Sequence, residues 1–104
     1  MKPVHRRPEV ILDLADIYNW IGADSPDTAE RFLTAVVKTF AQIQQNPEIG
    51  WRRSWHNEKL CDMRSWRVEN FPNFLVFYRE EAATIEIYAV LHGARHLERA
   101  LRRR

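Results

Sequence analysis

A chain of 104 residues with 45% hydrophobic and 12% aromatic residues has room for one folded domain with a true core, which excludes both a disordered tail and a multidomain enzyme. A single Cys61 and four scattered histidines (His5, His56, His92, His96) exclude a disulfide framework and a metal centre of ordinary ligand spacing, so no cofactor and no metal are expected. The formal net charge is only +2, but Arg95, Arg99, Arg102, Arg103 and Arg104 crowd the last ten residues against Glu98 alone, a basic end suited to phosphate or an acidic partner unless it is simply a solvated tail. No signal-type segment and no apolar run of about 18 residues is present, so no membrane contact and a cytoplasmic location are the expectation.

In chain order, Lys2 to Arg7 is short and extended in character, with Pro3 suited to an edge strand. Pro8 fits the first turn of a helix, and Val10, Ile11, Leu14, Ile17, Tyr18 and Ile21 then recur at helical spacing until Gly22. Ser25 as N-cap and Pro26 at the first helical position open a second helix, with Ala29, Phe32, Leu33, Val36, Val37, Phe40 and Ile43 on its apolar face and Asn46-Pro47 as its stop. A linker of about three residues forces the two helices antiparallel, and their shared apolar side needs a sheet to cover it.

The segment from Glu48 to Lys59 is dense in Trp and Arg. Trp51 and Trp55 are read either as partner-binding aromatics or as lids over the core. Strand character returns at Leu60, with Arg64 and Arg67 three apart and hence on opposite faces of a regular strand. Two further runs, Phe74 to Tyr78 and Ile85 to Leu91, flank a short polar connection and predict a β-hairpin. The first run has no polar break and is expected to be a central strand covered on both faces. In the second, regular alternation places Ile85, Ile87, Ala89 and Leu91 on one face. The hairpin closes on His92-Gly93-Ala94-Arg95, where polar side chains gather at the sheet edge.

The element order predicts an α+β fold: an N-terminal strand, an antiparallel helical hairpin packed on an antiparallel β-sheet, and a basic C-terminal segment, in a single domain over residues 1–104. In that order the sequence resembles the RelE/ParE family of toxins from bacterial type II toxin–antitoxin systems. The resemblance rests on Asp13-Leu14-x-x-Ile17, Ser25-Pro26-x-x-Ala29-x-x-Phe32, Asn46-Pro47-x-x-Gly50, Met63-Arg64-x-x-x-Val68, Val76-Phe77-Tyr78-Arg79 and Val90-Leu91-His92-Gly93-Ala94-Arg95.

The resemblance implies one of two activities. RelE-like members cut messenger RNA on the ribosome, and here Arg64, His92, Arg95 and His96 would be the candidate catalytic groups. ParE-like members bind DNA gyrase and trap it on cleaved DNA, and Trp51, Trp55, Arg64, Arg67, Arg95, Arg99 and Arg102 would be candidates for target or partner binding. Leu75 stands where RelE-like enzymes carry an Arg, no Tyr follows Tyr88, and Lys59 stands alone where a Lys pair is expected. Those departures favour the ParE-like branch and its inhibition of growth. An inactive relative that only binds its antitoxin is a third reading. In every case the resemblance implies a cognate antitoxin as partner in a hetero-oligomer.

Overall fold

The computed structural model describes residues 1–53, 55–94 and 97–102. Its middle is a five-stranded sheet in the spatial order β1 (Val4–Arg6), β5 (Ile85–His92), β4 (Phe71–Glu80), β3 (Arg64–Val68), β2 (Trp51–Arg52). β1 lies parallel to β5 and the remaining neighbours are antiparallel. The unbroken apolar run of β4 explains its central place, since Phe74, Leu75, Val76, Phe77 and Tyr78 are all buried and such a strand is stable only with both faces covered.

One face carries helices α1 (Pro8–Gly22) and α2 (Pro26–Gln45). Each starts on a proline, whose missing N–H is one the first turn leaves unpaired in any case. The Ser25 hydroxyl accepts from the Thr28 N–H at 3.2 Å, so α2 has the side-chain cap its sequence announces. Val10, Phe32, Val36, Phe40 and Ile43 meet Phe74, Val76, Tyr78, Ile85, Ile87 and Val90 in the main core, with Leu14, Ile17 and Ile21 packed at its margin. The apolar stripes are narrower than their spacing suggests, because Ile11 and Val37 lie on the flanks and are 62% and 63% exposed.

The opposite face holds a second core of Leu75, Phe77, Ala89 and Leu91, closed by Leu60, Met63 and Leu101 with Trp55, Leu97 and Ala100 around them. Its cover is a 3-10 turn at Glu58–Leu60 and a short helix α3 (Leu97–Arg102). The regular alternation expected in β5 does not hold. Tyr78 pairs with Ile87 and Phe77 with Ala89, so Tyr88 is the extra residue of a β-bulge. Ile85 and Ile87 therefore face the helices, while Ala89 and Leu91 face the second core. The two-residue β2 is a further difference, a strand within what reads as a loop, with Trp51 opposite Ser65 and Arg52 opposite Arg64. Arg64 and Arg67 pair with Tyr78 and Leu75, residues of different cores, and so lie on opposite faces as their spacing implies.

Candidate functional site

The segment Asn46-Pro47-x-x-Gly50 is clamped to the sheet by two side chains. The Tyr78 hydroxyl, fully buried, donates to the Pro47 carbonyl at 2.7 Å and accepts from the Gly50 N–H at 2.8 Å. Burial raises the phenol's pKa above its ordinary value, against the lowering effect of the Gly50 hydrogen bond and of nearby Arg64. A Cβ at position 50 would stand 2.6 Å from the Tyr78 hydroxyl oxygen, so glycine is required there by a close approach. Arg64 completes the clamp, its Nη1 donating to the Gly50 carbonyl at 2.8 Å and to the Glu48 carbonyl at 3.3 Å. The candidate catalytic Arg64 is thus bound up in holding a loop.

His92 ends β5 in an aromatic corner. Its ring meets Phe74 edge-on at 5.1 Å and Trp20 at 6.5 Å, and its Nδ1 accepts from the Ala94 N–H at 3.0 Å. A neutral imidazole in that geometry carries its proton on Nε2. Beside it, α1 and β5 enclose a cleft of about 230 Å3 lined by Asp13, Asp16, Ile17, Trp20, Phe74 and His92 among others. Asp13 reaches across to accept from the Val90 N–H at 3.1 Å, satisfying a backbone donor of β5 beyond the stretch that β1 covers. Trp20 is 67% exposed on the cleft's rim. Its position outside the α1 stripe is the sequence signal that marks it, an indole with no place in the core.

The two loop tryptophans part company. Trp51 is 53% exposed at the sheet edge, with its ring 5.0 Å from that of Trp66 and the Arg67 guanidinium 5.3 Å above it. Trp55 instead lies half-buried over the second core, edge-on to Phe77 at 6.2 Å. It packs as a lid over Phe77 and keeps part of its surface exposed.

Of the basic end, Arg99 and Arg102 are exposed on α3. Arg95 and His96, together with Arg103 and Arg104, lie outside the described residues. Sequence spacing gave no hint of a further basic cluster on the second-core face, where Arg7 and Arg79 flank the Tyr88 ring with their guanidinium carbons 4.1 and 5.2 Å from its centroid. Among the described residues no group of three or more His, Cys, Asp or Glu side chains could hold a metal ion, and no helix is long and apolar enough to cross a membrane.

Residues 4–97 match the family described as the ParE toxin of type II toxin-antitoxin system, parDE. Among solved structures the chain is similar to one titled "Chromosomal ParDE TA system from P. aeruginosa", with 19% identity and a TM-score of 0.71, covering 88% of this chain and 96% of that one. At that identity the likeness is one of fold. No curated protein matches the sequence.

Proposed function

Because the chain belongs to the ParE toxin family of type II toxin–antitoxin systems, we propose that it arrests growth by poisoning DNA gyrase in the cytoplasm and is neutralised by direct binding of a cognate antitoxin. The observation that carries the choice of target is the employment of the acid–base candidates. The Nη1 of Arg64 is engaged by the Glu48 and Gly50 carbonyls, and the Nδ1 of His92 by the Ala94 N–H. Leu75, at the position where RelE-like enzymes carry a cation, is a buried contributor to the second core. RNA cleavage needs a base at the 2′-hydroxyl, an acid at the leaving oxygen and free cations on the phosphate.

Two features support antitoxin binding. The outer edge of β1 borders a trough lined by Val4, Val37, Phe40 and Ala41 together with Arg6 and Gln44, a place where an extended segment can add a strand and bury side chains. The exposed Ile11, Leu12 and Trp20 of α1 offer apolar surface beyond what a free monomer needs. An antitoxin segment that orders on these surfaces would bury a large area through coupled folding.

The deciding experiment compares gyrase supercoiling with translation in extract. Purified protein should inhibit supercoiling or leave cleaved DNA, and should not cut ribosome-bound messenger. Codon-dependent cleavage that disappears in Arg95→Ala or His92→Ala would overturn the reading and move the chain to the messenger endonucleases. A chain that binds its antitoxin yet affects neither gyrase nor translation would be an inactive relative.

A further inference from the structure

We propose that the pocket between β5, the Glu58–Leu60 turn and α3 binds a phosphate group. The inference goes beyond the toxin reading, and a negative gyrase result would leave it untouched. The pocket has a volume of about 300 Å3, and Arg7, Lys59, Arg79 and Arg102 reach it from four separate elements around Tyr88. No described Asp or Glu lines it. Glu86, outside the pocket, is 4.0 Å from the Arg7 Nε and already holds the His5 Nδ1 at 2.6 Å. The Glu98 carboxylate, on α3, is taken by the backbone N–H groups of His56 and Asn57.

Two of the cations, Arg7 and Arg79, are held in place. The Arg7 and Arg79 guanidinium groups both lie against Tyr88, and its hydroxyl accepts from the Arg79 Nη1 at 3.2 Å. The Arg79 Nη2 donates to the Lys59 carbonyl, which ties β4 to the 3-10 turn. The Arg79 Nε is buried and has no acceptor among the described residues. Met63 and Leu101 contribute apolar wall, which lowers the local dielectric and strengthens any charge placed there. Four cations gathered with a carboxylate, Glu86, at 4.0 Å from one of them leave an excess of positive charge that calls for an anion of more than one charge. A tetrahedral phosphate takes forked guanidinium donors from several sides at once, whereas a planar carboxylate accommodates one such fork.

This pocket is also distinct from the sheet end at His92. Arg79 pairs with Glu86 and Phe74 with His92, so the two places are separated by five residues of strand, roughly 16 Å. The phosphate could belong to a small phosphomonoester or inorganic phosphate, or to a nucleic-acid backbone, and the test separates these sources.

Purified folded protein is titrated with sodium phosphate at constant ionic strength, with sodium chloride as the reference, and then with a twelve-base-pair DNA duplex in competition. Phosphate should bind where chloride does not. In Lys59→Gln/Arg102→Gln, two exposed positions, affinity should fall at least tenfold with an unchanged circular dichroism spectrum, and in Arg79→Gln it should vanish. Displacement of phosphate by the duplex identifies a nucleic-acid backbone as the source, and its failure identifies the small phosphate; both support the site. The proposal is overturned if phosphate binds no better than chloride, if Lys59→Gln/Arg102→Gln binds as well as the parent, or if a hexaglutamate peptide alone occupies the pocket.

Discussion

Replacing Tyr78 by Phe removes one oxygen atom from the centre of the domain and tests the clamp on the Asn46 to Gly50 segment. The hydroxyl makes two hydrogen bonds, one to the Pro47 carbonyl and one from the Gly50 N–H. Pro47 is half-buried, so water can replace its partner, and that loss should be about 1 kcal/mol. Gly50 is buried and its N–H would be left without an acceptor, a penalty of about 1–2 kcal/mol. The sum, about 2–3 kcal/mol, corresponds to a fall in melting temperature of roughly 10–20 °C for a domain of this size. Urea denaturation followed by tryptophan fluorescence measures it directly. The pH dependence supplies a second readout. The folded phenol has a raised pKa, so Tyr78 favours the native state fully below pH 10 and its contribution declines as pH rises from there through the folded value. The variant should therefore lose stability less steeply than the parent above about pH 10. A destabilisation under about 0.5 kcal/mol, or parallel alkaline profiles, would show that the two hydrogen bonds do not hold the loop.

Phe40→Ala empties an aromatic site of the main core and should cost about 3–5 kcal/mol in the same denaturation assay; a loss below about 1 kcal/mol would remove that helix face from the core. Trp20→Ala should change stability by less than about 1 kcal/mol, because most of the indole is exposed, yet weaken the antitoxin complex at least tenfold, about 1.4 kcal/mol, in a calorimetric titration. Unchanged affinity would place the antitoxin elsewhere than the α1–β5 cleft. Arg99→Glu should weaken the same complex more at low salt than at high salt, since screening removes the attraction being tested; equal affinity at low salt would exclude the basic end as a docking surface.

Much of the fold is readable from periodicity alone. The Ser25 cap, the prolines that open both helices, and the polar-free run at the centre of β4 each act through a local cause that tertiary packing then reinforces. The second core was beyond such reading, because Leu60, Met63, Leu97 and Leu101 come from short, irregular segments with no repeat to mark them. The bulge at Tyr88 escaped for a similar reason: the run from Ile85 to Leu91 alternates plausibly without it, and only the partner strand reveals the extra residue. At the site, the motif Asn46-Pro47-x-x-Gly50 was visible as a string, but its meaning resides in Tyr78 and Arg64, which reach it from two other strands. The four cations of the second-core pocket were invisible for the same cause, since each belongs to a different element and none neighbours another in sequence.

The extra residue in β5 leaves the two cores oddly indifferent to it. Ile87 faces the helices, and Ala89, Val90 and Leu91 then alternate between the two sides, which is the order a plain strand would have if Tyr88 were simply absent. The insertion therefore contributes little to the arrangement of the interior on either side of it. What it adds is a phenol held out of the pleat where Arg7 and Arg79 can both lie against it. A strand one residue shorter would keep both hydrophobic layers in register and lose the post around which those two cations are arranged, so that a change in length at this point would alter the charge landscape of one face while leaving the architecture intact.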